Sequence, residues 1–229
     1  MDPIEKEDDD IFIPEATAND LALYNEVMRE KESHPSEFVS YWEMDDQVSE
    51  ATQEEIDSNP VLKMLWAAEK DQKDVIDELL EQDAELVNCK DDDGYTPLHR
   101  AAYCNHTNIA QVLIEKGADV GARTDDGWTP LHSASFWNNV SVAELLLAAG
   151  SNINAQTNGK QTPLHLAASQ PDHKNIIALL LTNPAIDATL KNQVGETALE
   201  ICRRISNLSY LFDIVDPSIS RLDPESGSS

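Results

Sequence analysis

Three histidines recur at a constant interval and are the first candidates for metal or acid–base chemistry. His99, His132 and His165 each close the tetrapeptide Thr-Pro-Leu-His, and neighbouring copies lie 33 residues apart. Imidazole is a common metal ligand and a general acid or base near neutral pH. Only a few residues typically separate paired zinc ligands, whereas this interval puts each histidine in a separate repeated unit. The spacing therefore predicts three equivalent structural histidines rather than one metal or catalytic site.

The remaining reactive side chains form no enzyme motif. Cys89, Cys104 and Cys202 are odd in number and lack Cys-x-x-Cys spacing. The sequence contains no Gly-x-Ser-x-Gly, no His-Glu-x-x-His and no phosphate-binding glycine loop. Acidic pairs at 92–93 and 125–126 lie at predicted turns, where we interpret them as solvated charge. We therefore predict a protein that is not an enzyme and that binds no cofactor or metal.

The elements that carry the histidines are predicted to be pairs of short helices. Threonine is a favourable N-cap and proline a favourable first helical residue, so a helix is expected to begin at each Thr-Pro, as after Thr96. Apolar residues at helical spacing, including Ile109 and Leu113, predict a second helix. Gly117 is expected to end that helix, and Gly94 follows an aspartate in a tight-turn signal.

The units that begin at residues 91, 124 and 157 agree in register at many positions, and they resemble the ankyrin repeat. The resemblance implies an all-α solenoid of helix–turn–helix units joined by β-hairpin-like loops. It also implies that each repeated histidine bonds to backbone near the neighbouring hairpin. We place the elements of the array as follows: repeats near residues 58–90, 91–123, 124–156 and 157–190, a C-terminal cap at 191–222, and a disordered tail at 223–229.

The third full copy departs from the pattern at its turn. Lys160 stands where the other copies have glycine, and Asn158-Gly159 is displaced by one residue. Because glycine is the residue that best tolerates a left-handed backbone, we expect this hairpin to be distorted.

Charge limits the partners of this chain. The formal net charge is −27, and residues 1–55 alone hold 18 acidic and three basic residues. Such an excess argues against direct binding to nucleic acid or to anionic membranes, which need basic surface. It favours a protein partner with a basic segment, although solubility alone is an equal alternative. We find no secretory signal and no apolar run long enough to span a membrane, which predicts a protein of the cytoplasm or nucleus.

The N-terminal arm, residues 1–57, shows no repeat signature, and its composition predicts disorder. Within it we expect a short helix near 18–32 and a candidate motif at 38–46, in which Phe38, Tyr41 and Trp42 adjoin acidic residues. Three alternatives stay open for that motif. It folds back as an N-terminal cap, it binds a partner in trans, or it has no role.

Ankyrin repeats bind proteins through hairpin tips and the inner helices, and the resemblance indicates which positions lie there. These positions concentrate aromatic and acidic residues in the two central repeats, which predicts an exposed binding face on a monomer. The residues are Asp92, Asp93, Tyr95, Tyr103, Asp125, Asp126, Trp128, Phe136, Trp137 and Gln161. The alternative is that one or two of the aromatic rings pack on neighbouring hairpins.

Two functions fit these observations. The first is a regulatory adaptor, with the gene-regulatory connection that the resemblance implies. The second is a dedicated escort for a basic client such as a ribosomal or chromatin protein. An escort should lose its client steeply as salt increases, because exposed charge pairs are screened.

Overall fold

The computed structural model describes residues 52–215, with side chains described through residue 213. The expected helix near 18–32, the candidate motif at 38–46 and the tail at 223–229 lie outside the described residues.

The described chain begins with a helix that the sequence interpretation assigned to the arm. Helix α1 spans Gln53–Ser58, and Thr52 caps it in a capping box with Glu55. The backbone N–H of Thr52 donates to the Glu55 carboxylate at 2.8 Å. Ile56 is buried, so α1 packs against the helix that follows it, although it lies before the predicted boundary at residue 58.

The helices that follow form two rows. The inner row comprises α2 (Pro60–Glu69), α4 (Pro97–Tyr103), α6 (Pro130–Phe136), α8 (Pro163–Ala168) and α10 (Ala198–Ile205). The outer row comprises α3 (Lys73–Gln82), α5 (Thr107–Glu115), α7 (Val140–Ala148), α9 (Lys174–Thr182) and a terminal 3₁₀ helix (Leu208–Val215). A further 3₁₀ turn, Ala84–Asn88, follows α3. Successive inner helices contact one another, as expected of a solenoid whose units bury apolar surface against their neighbours.

The core runs along the stack between the two rows. Leu98, Leu131 and Leu164 repeat at the same position and are at most 1% exposed. Small residues next to them, such as Ala101 and Ala102, are fully buried and let adjacent helices approach closely. No helix between residues 52 and 215 is both long and apolar enough to cross a membrane.

Each unit ends its outer helix and turns its hairpin by specific backbone geometry. Gly117 has φ +96°, and the amide of Ala118 reaches back to the Leu113 carbonyl at 2.9 Å, the bond pattern of a Schellman ending. At the hairpins, Gly94 and Gly127 have φ of +84° and +78°. Glycine occupies these turns because it has no side-chain penalty there.

The expected distortion of the third hairpin is wrong. Lys160 adopts φ +56°, and its amide donates to the Thr157 carbonyl at 2.8 Å, as Gly127 does to Thr124 at 2.9 Å. The hairpin also docks normally, since the amide of Gln193 donates to the Gly159 carbonyl at 2.9 Å. Hydrogen bonds within the turn and to the next hairpin thus hold a lysine in a glycine conformation.

Candidate protein-binding face

The three repeated histidines connect each unit to the next. In the first unit the ring accepts at Nδ1 from the N–H of Thr96 at 3.2 Å, and Nε2 donates to the Trp128 carbonyl at 3.2 Å. His132 reaches the Gln161 carbonyl at 3.0 Å, and His165 reaches the Glu196 carbonyl at 3.1 Å. Both ring nitrogens are therefore occupied by the scaffold.

Burial keeps these imidazoles neutral. Loss of solvation lowers the pKa of His99 to about 3 and that of His132 to about 4. A neutral ring with both nitrogens bonded has no free lone pair for a metal and no proton to exchange near neutral pH. Within residues 52–215, no group of three or more His, Cys, Asp or Glu side chains could hold a metal ion.

The hairpin tips form a continuous acidic edge. The amide of Asp125 donates to the Asp93 carbonyl at 3.0 Å, and the amide of Asn158 donates to the Asp126 carbonyl at 2.9 Å. Asp92, Asp125 and Asp126 are exposed, whereas Asp93 is half-buried. We call the four aspartates the acidic tips.

The aromatic rings behind these tips form a connected row. The ring centroids of Tyr103 and Trp137 lie 4.9 Å apart, those of Trp137 and Phe136 lie 5.3 Å apart, and those of Phe136 and Trp128 lie 5.8 Å apart. All three pairs meet edge to face, which is the favoured geometry for aromatic contacts. Tyr103 and Trp137 are 38% and 39% exposed. We call Tyr103, Phe136 and Trp137 the aromatic face.

Two predicted face residues are not exposed, and that part of the prediction is wrong. Tyr95 is 6% exposed and Trp128 is 8% exposed. The Tyr95 ring packs on His99 at 5.6 Å, and the Arg100 guanidinium lies 5.1 Å from its centroid. Trp128 packs against His132 and Phe136. Both rings follow the hairpin glycine and turn into the scaffold instead of outwards.

Comparison with known proteins agrees with this architecture. Ankyrin-repeat models match residues 64–157 and 137–181. The chain is 59% identical to ankyrin repeat domain-containing protein 49 of Homo sapiens over 164 aligned residues. The aligned region covers 72% of this chain and 69% of that relative. The chain belongs to the ankyrin-repeat family. The protein of the same name in Mus musculus is 55% identical with the same coverage. The Drosophila melanogaster protein of that name is 43% identical over 86 residues, or 36% of this chain and 38% of the relative.

Membership of the ankyrin-repeat family confirms the predicted all-α solenoid with hairpin-like loops. The family is a non-enzymatic, protein-binding one, so the repeats form a protein-interaction domain. That the aromatic face and the acidic tips contact a partner stays a prediction. Gln161 is half-buried at the third hairpin, and its carbonyl accepts from His132.

Sequence reasoning missed a second set of contacts between ankyrin repeats. In the first two Thr-Pro-Leu-His units, the side chain just before the outer helix reaches the end of the inner helix of the preceding repeat. His106 Nε2 lies 2.8 Å from the Glu69 carbonyl, and Asn139 Nδ2 donates to the Ala102 and Tyr103 carbonyls at 2.8 and 2.7 Å. The signal in the sequence was a polar residue at the same position of two units, since Asn139 follows His106 by 33 positions. Asn139 therefore holds the backbone that presents Tyr103.

A buried ion pair was also missed. Arg100 is 5% exposed, and its guanidinium donates to the Asp91 carboxylate at 2.9 Å. The other Asp91 carboxylate oxygen accepts from the N–H of Tyr95 at 2.7 Å. Arg100 thus fixes both the hairpin base and the ring of Tyr95.

The cysteines of the repeats have unreactive surroundings. Desolvation raises the pKa of Cys89 to about 12 and that of Cys104 to about 11, and Cys202 is fully buried. The thiolate is the nucleophilic form, so these side chains offer no nucleophile at neutral pH.

Proposed function

We propose that this chain is a non-catalytic, regulatory adaptor, linked to transcription, that holds one protein partner on its two central repeats. The partner contacts the aromatic face and the acidic tips. We further propose that the chain acts as a monomer in the cytoplasm or nucleus and contacts neither nucleic acid nor membrane directly.

The pairing of Tyr103 with Trp137 is the observation that carries this proposal. Two large aromatic rings with more than a third of their surface exposed lie side by side at the C-terminal ends of consecutive inner helices. Phe136 supports Trp137 from behind. Rigid, partly buried aromatic side chains are the residues most often found as energetic anchors of protein interfaces.

The acidic tips indicate the charge that the partner carries. Three exposed aspartates lie on two adjacent hairpins, and the chain carries a net charge of −27. A partner segment with an apolar anchor flanked by Lys or Arg matches this combination, because cations are attracted both to carboxylates and to aromatic ring faces.

The test is a double substitution, Tyr103→Ala with Trp137→Ala. After affinity purification of the wild-type chain identifies a partner, we expect the double variant to bind it at least 30-fold more weakly, given the roughly 2 kcal/mol or more of a typical anchor. Tyr210→Ala is the matched control, since that exposed ring (51%) lies in the terminal 3₁₀ helix. Undiminished binding by the double variant would contradict the proposal.

An escort for a strongly basic client is the second candidate, and the excess of acidic residues favours it. The two functions differ in their response to salt. Raising the salt concentration severalfold should release a client held by charge, because the Debye length falls to about 8 Å near physiological ionic strength and shortens further above it. A partner anchored on the aromatic face should be retained.

The candidate motif at 38–46 is proposed as a second contact to the partner in trans. Replacing Phe38, Tyr41 and Trp42 with Ser should then weaken capture and leave the melting temperature unchanged. A large fall in melting temperature would instead favour a role as N-terminal cap.

A further inference from the structure

Asn139 directs its side chain to the neighbouring repeat instead of to its own helix. The residue precedes α7 at the N-cap position, where an asparagine side chain usually accepts a hydrogen bond from the first helical turn. No such bond forms at the start of α7. Instead, the half-buried amide group donates from Nδ2 to the carbonyls of Ala102 and Tyr103, at 2.8 and 2.7 Å.

The two carbonyls belong to the last turn of α4. The last four carbonyls of a helix have no donor within that helix, and the NH₂ group of an asparagine carries two N–H donors. Asn139 can thus satisfy two of these carbonyls at once. At the same position of the previous unit, Nε2 of His106 reaches a single carbonyl, that of Glu69, at 2.8 Å. One side chain therefore holds the end of α4 at two points.

A short turn connects Trp137 to the same asparagine. The amide of Trp137 donates to the Ser133 carbonyl at 3.2 Å, and the amide of Asn139 donates to the Ala134 carbonyl at 2.8 Å. Between them Asn138 has φ +56°, a left-handed conformation that asparagine adopts more readily than most residues. The backbone from Trp137 to Asn139 is therefore held against the end of α6.

Asn139 thus links the two exposed rings of the aromatic face. It follows Trp137 by two residues, and its side chain bonds to the backbone of Tyr103. The two ring centroids lie 4.9 Å apart, with 71° between the ring planes. Loss of the amide group would release the end of α4 and let the Tyr103 ring move relative to the indole of Trp137.

We propose that Asn139 is a positioning residue of the aromatic face, which holds Tyr103 and Trp137 in the arrangement that the partner binds. This role rests on the proposed function, and it names the side chain that fixes the binding geometry before the partner arrives. Side chains that are already ordered lose less conformational entropy on binding. Asn139 therefore raises the affinity through the two rings, without a contact of its own to the partner.

The first test observes the rings in the full-length chain without a partner. Incorporation of fluorotryptophan gives one fluorine NMR resonance for each of the four tryptophans, and Trp137→Phe assigns the resonance of Trp137. We expect Asn139→Ala to move this resonance in the same direction as Tyr103→Ala does, because both changes withdraw the Tyr103 ring from the indole. Asn139→His keeps one bond, as His106 does, so its shift should be smaller. A resonance that stays at its wild-type position in Asn139→Ala would overturn the proposal.

Asn154→Ala is the matched control. Asn154 also joins two repeats by two bonds from one amide side chain, since it donates to the Ala185 carbonyl at 2.7 Å and accepts from the N–H of Asp187 at 2.9 Å. Its loss should weaken the stack in a similar way and leave the Trp137 resonance in place. An equal shift in Asn154→Ala would show that general loosening of the array moves the ring, and it would refute the specific role of Asn139.

The second test measures affinity for the purified partner that the wild-type chain captures. We expect Asn139→Ala to bind it about 5–10-fold more weakly, because a released side chain must be ordered again on binding. In a Tyr103→Ala background the same substitution should have no further effect, and a loss of affinity that persists there would contradict a role through Tyr103. If Asn139→Ala alone binds normally, this inference fails by itself. If the double variant Tyr103→Ala with Trp137→Ala also binds normally, the proposed function fails with it.

Discussion

The Nε2 atom of His99 lies 3.2 Å from the carbonyl oxygen of Trp128, which is 29 residues further along the chain. Nδ1 of the same ring lies 2.9 Å from the Thr96 hydroxyl. One imidazole therefore joins the start of its own inner helix to the next hairpin. Because Nδ1 can accept from the N–H of Thr96 only while the ring is neutral, the cohesion of the stack depends on pH.

Acidification between pH 6.5 and 5 should weaken the fold. The pKa values of His99 and His132 are lowered from an ordinary 6.5 to about 3 and about 4, so the folded rings stay neutral while the unfolded rings take up protons. Stability is thus fully present above pH 6.5 and is lost as the pH falls towards the folded values, by about 1.4 kcal/mol per pH unit for each ring. Urea unfolding at pH 7.5 and 5.5 measures this loss.

The variant His99→Gln provides the control for that pH dependence. It should be less stable at pH 7.5 but should lose less stability on acidification, because one of the four described imidazoles with a lowered pKa is gone. The groups Asp187 and Glu200, whose pKa values are lowered from 3.8 and 4.5 by hydrogen bonds from Thr189 and Thr197, act only below this pH window. An unchanged pH slope in His99→Gln would contradict the assignment.

Gly121→Asn should stabilise the array by about 1–2 kcal/mol. Asn88 and Asn154, each 33 residues away, bridge adjacent repeats. Nδ2 of Asn88 donates to the Gly117 carbonyl at 3.2 Å, and its Oδ1 accepts from the N–H of Asp119 at 2.8 Å. Asn154 makes the same pair of bonds, at 2.7 and 2.9 Å. Gly121 cannot, and each added bond is worth about 0.5–1.5 kcal/mol.

The backbone at Gly121 can accept this change. Its φ lies outside the left-handed region, and an added Cβ would meet only the Asp119 carboxylate, at 3.4 Å. Gly121→Ala is the matched control, because it shares the reduced entropy of the unfolded chain but supplies no bridge. Equal denaturation midpoints for the two variants would show that no bridge forms.

Lys160→Gly should raise the denaturation midpoint by the equivalent of about 0.5–1 kcal/mol. A non-glycine residue in the left-handed region costs about 1–2 kcal/mol, and the greater flexibility of glycine in the unfolded chain cancels part of that gain. Lys160→Ala keeps the left-handed strain and removes only the charge, so its midpoint should stay near that of the wild type. A gain in Lys160→Ala equal to that in Lys160→Gly would point to charge instead.

Trp128→Ala and Trp137→Ala should separate stability from binding. Trp128 is buried against two rings, so its loss should cost about 3–5 kcal/mol, as for other large core residues. Trp137 is 39% exposed, and its loss should cost about 1 kcal/mol or less. Urea unfolding of both variants checks this order, and equal losses would mean that both rings belong to the core.

Much of the fold was accessible from short-range sequence signals. The repeated Thr-Pro fixed where inner helices begin, because an N-cap hydroxyl and a proline at the first position act within a few residues. The constant interval predicted that the histidines serve separate units, and each does contact the following hairpin. Helix α1 was also encoded locally, in Thr52 and Glu55, but the surrounding acidic composition obscured it.

The candidate site depended on contacts that no local pattern records. Tyr95 and Trp128 carry the same sequence signal as exposed face residues, yet Arg100 and Phe136 pack against them. Lys160 contradicts a local preference because backbone bonds from its own turn and from the next hairpin outweigh the strain.

The sequence by itself determined the period, the helix starts and the assignment of the three histidines to separate units. Only the tertiary structure decided which aromatic rings face solvent, because the exposed fraction of a ring depends on side chains from several repeats that pack around it. Tyr103 and Trp137 therefore emerge as the exposed pair when consecutive units are stacked, since their contact joins residues 34 positions apart.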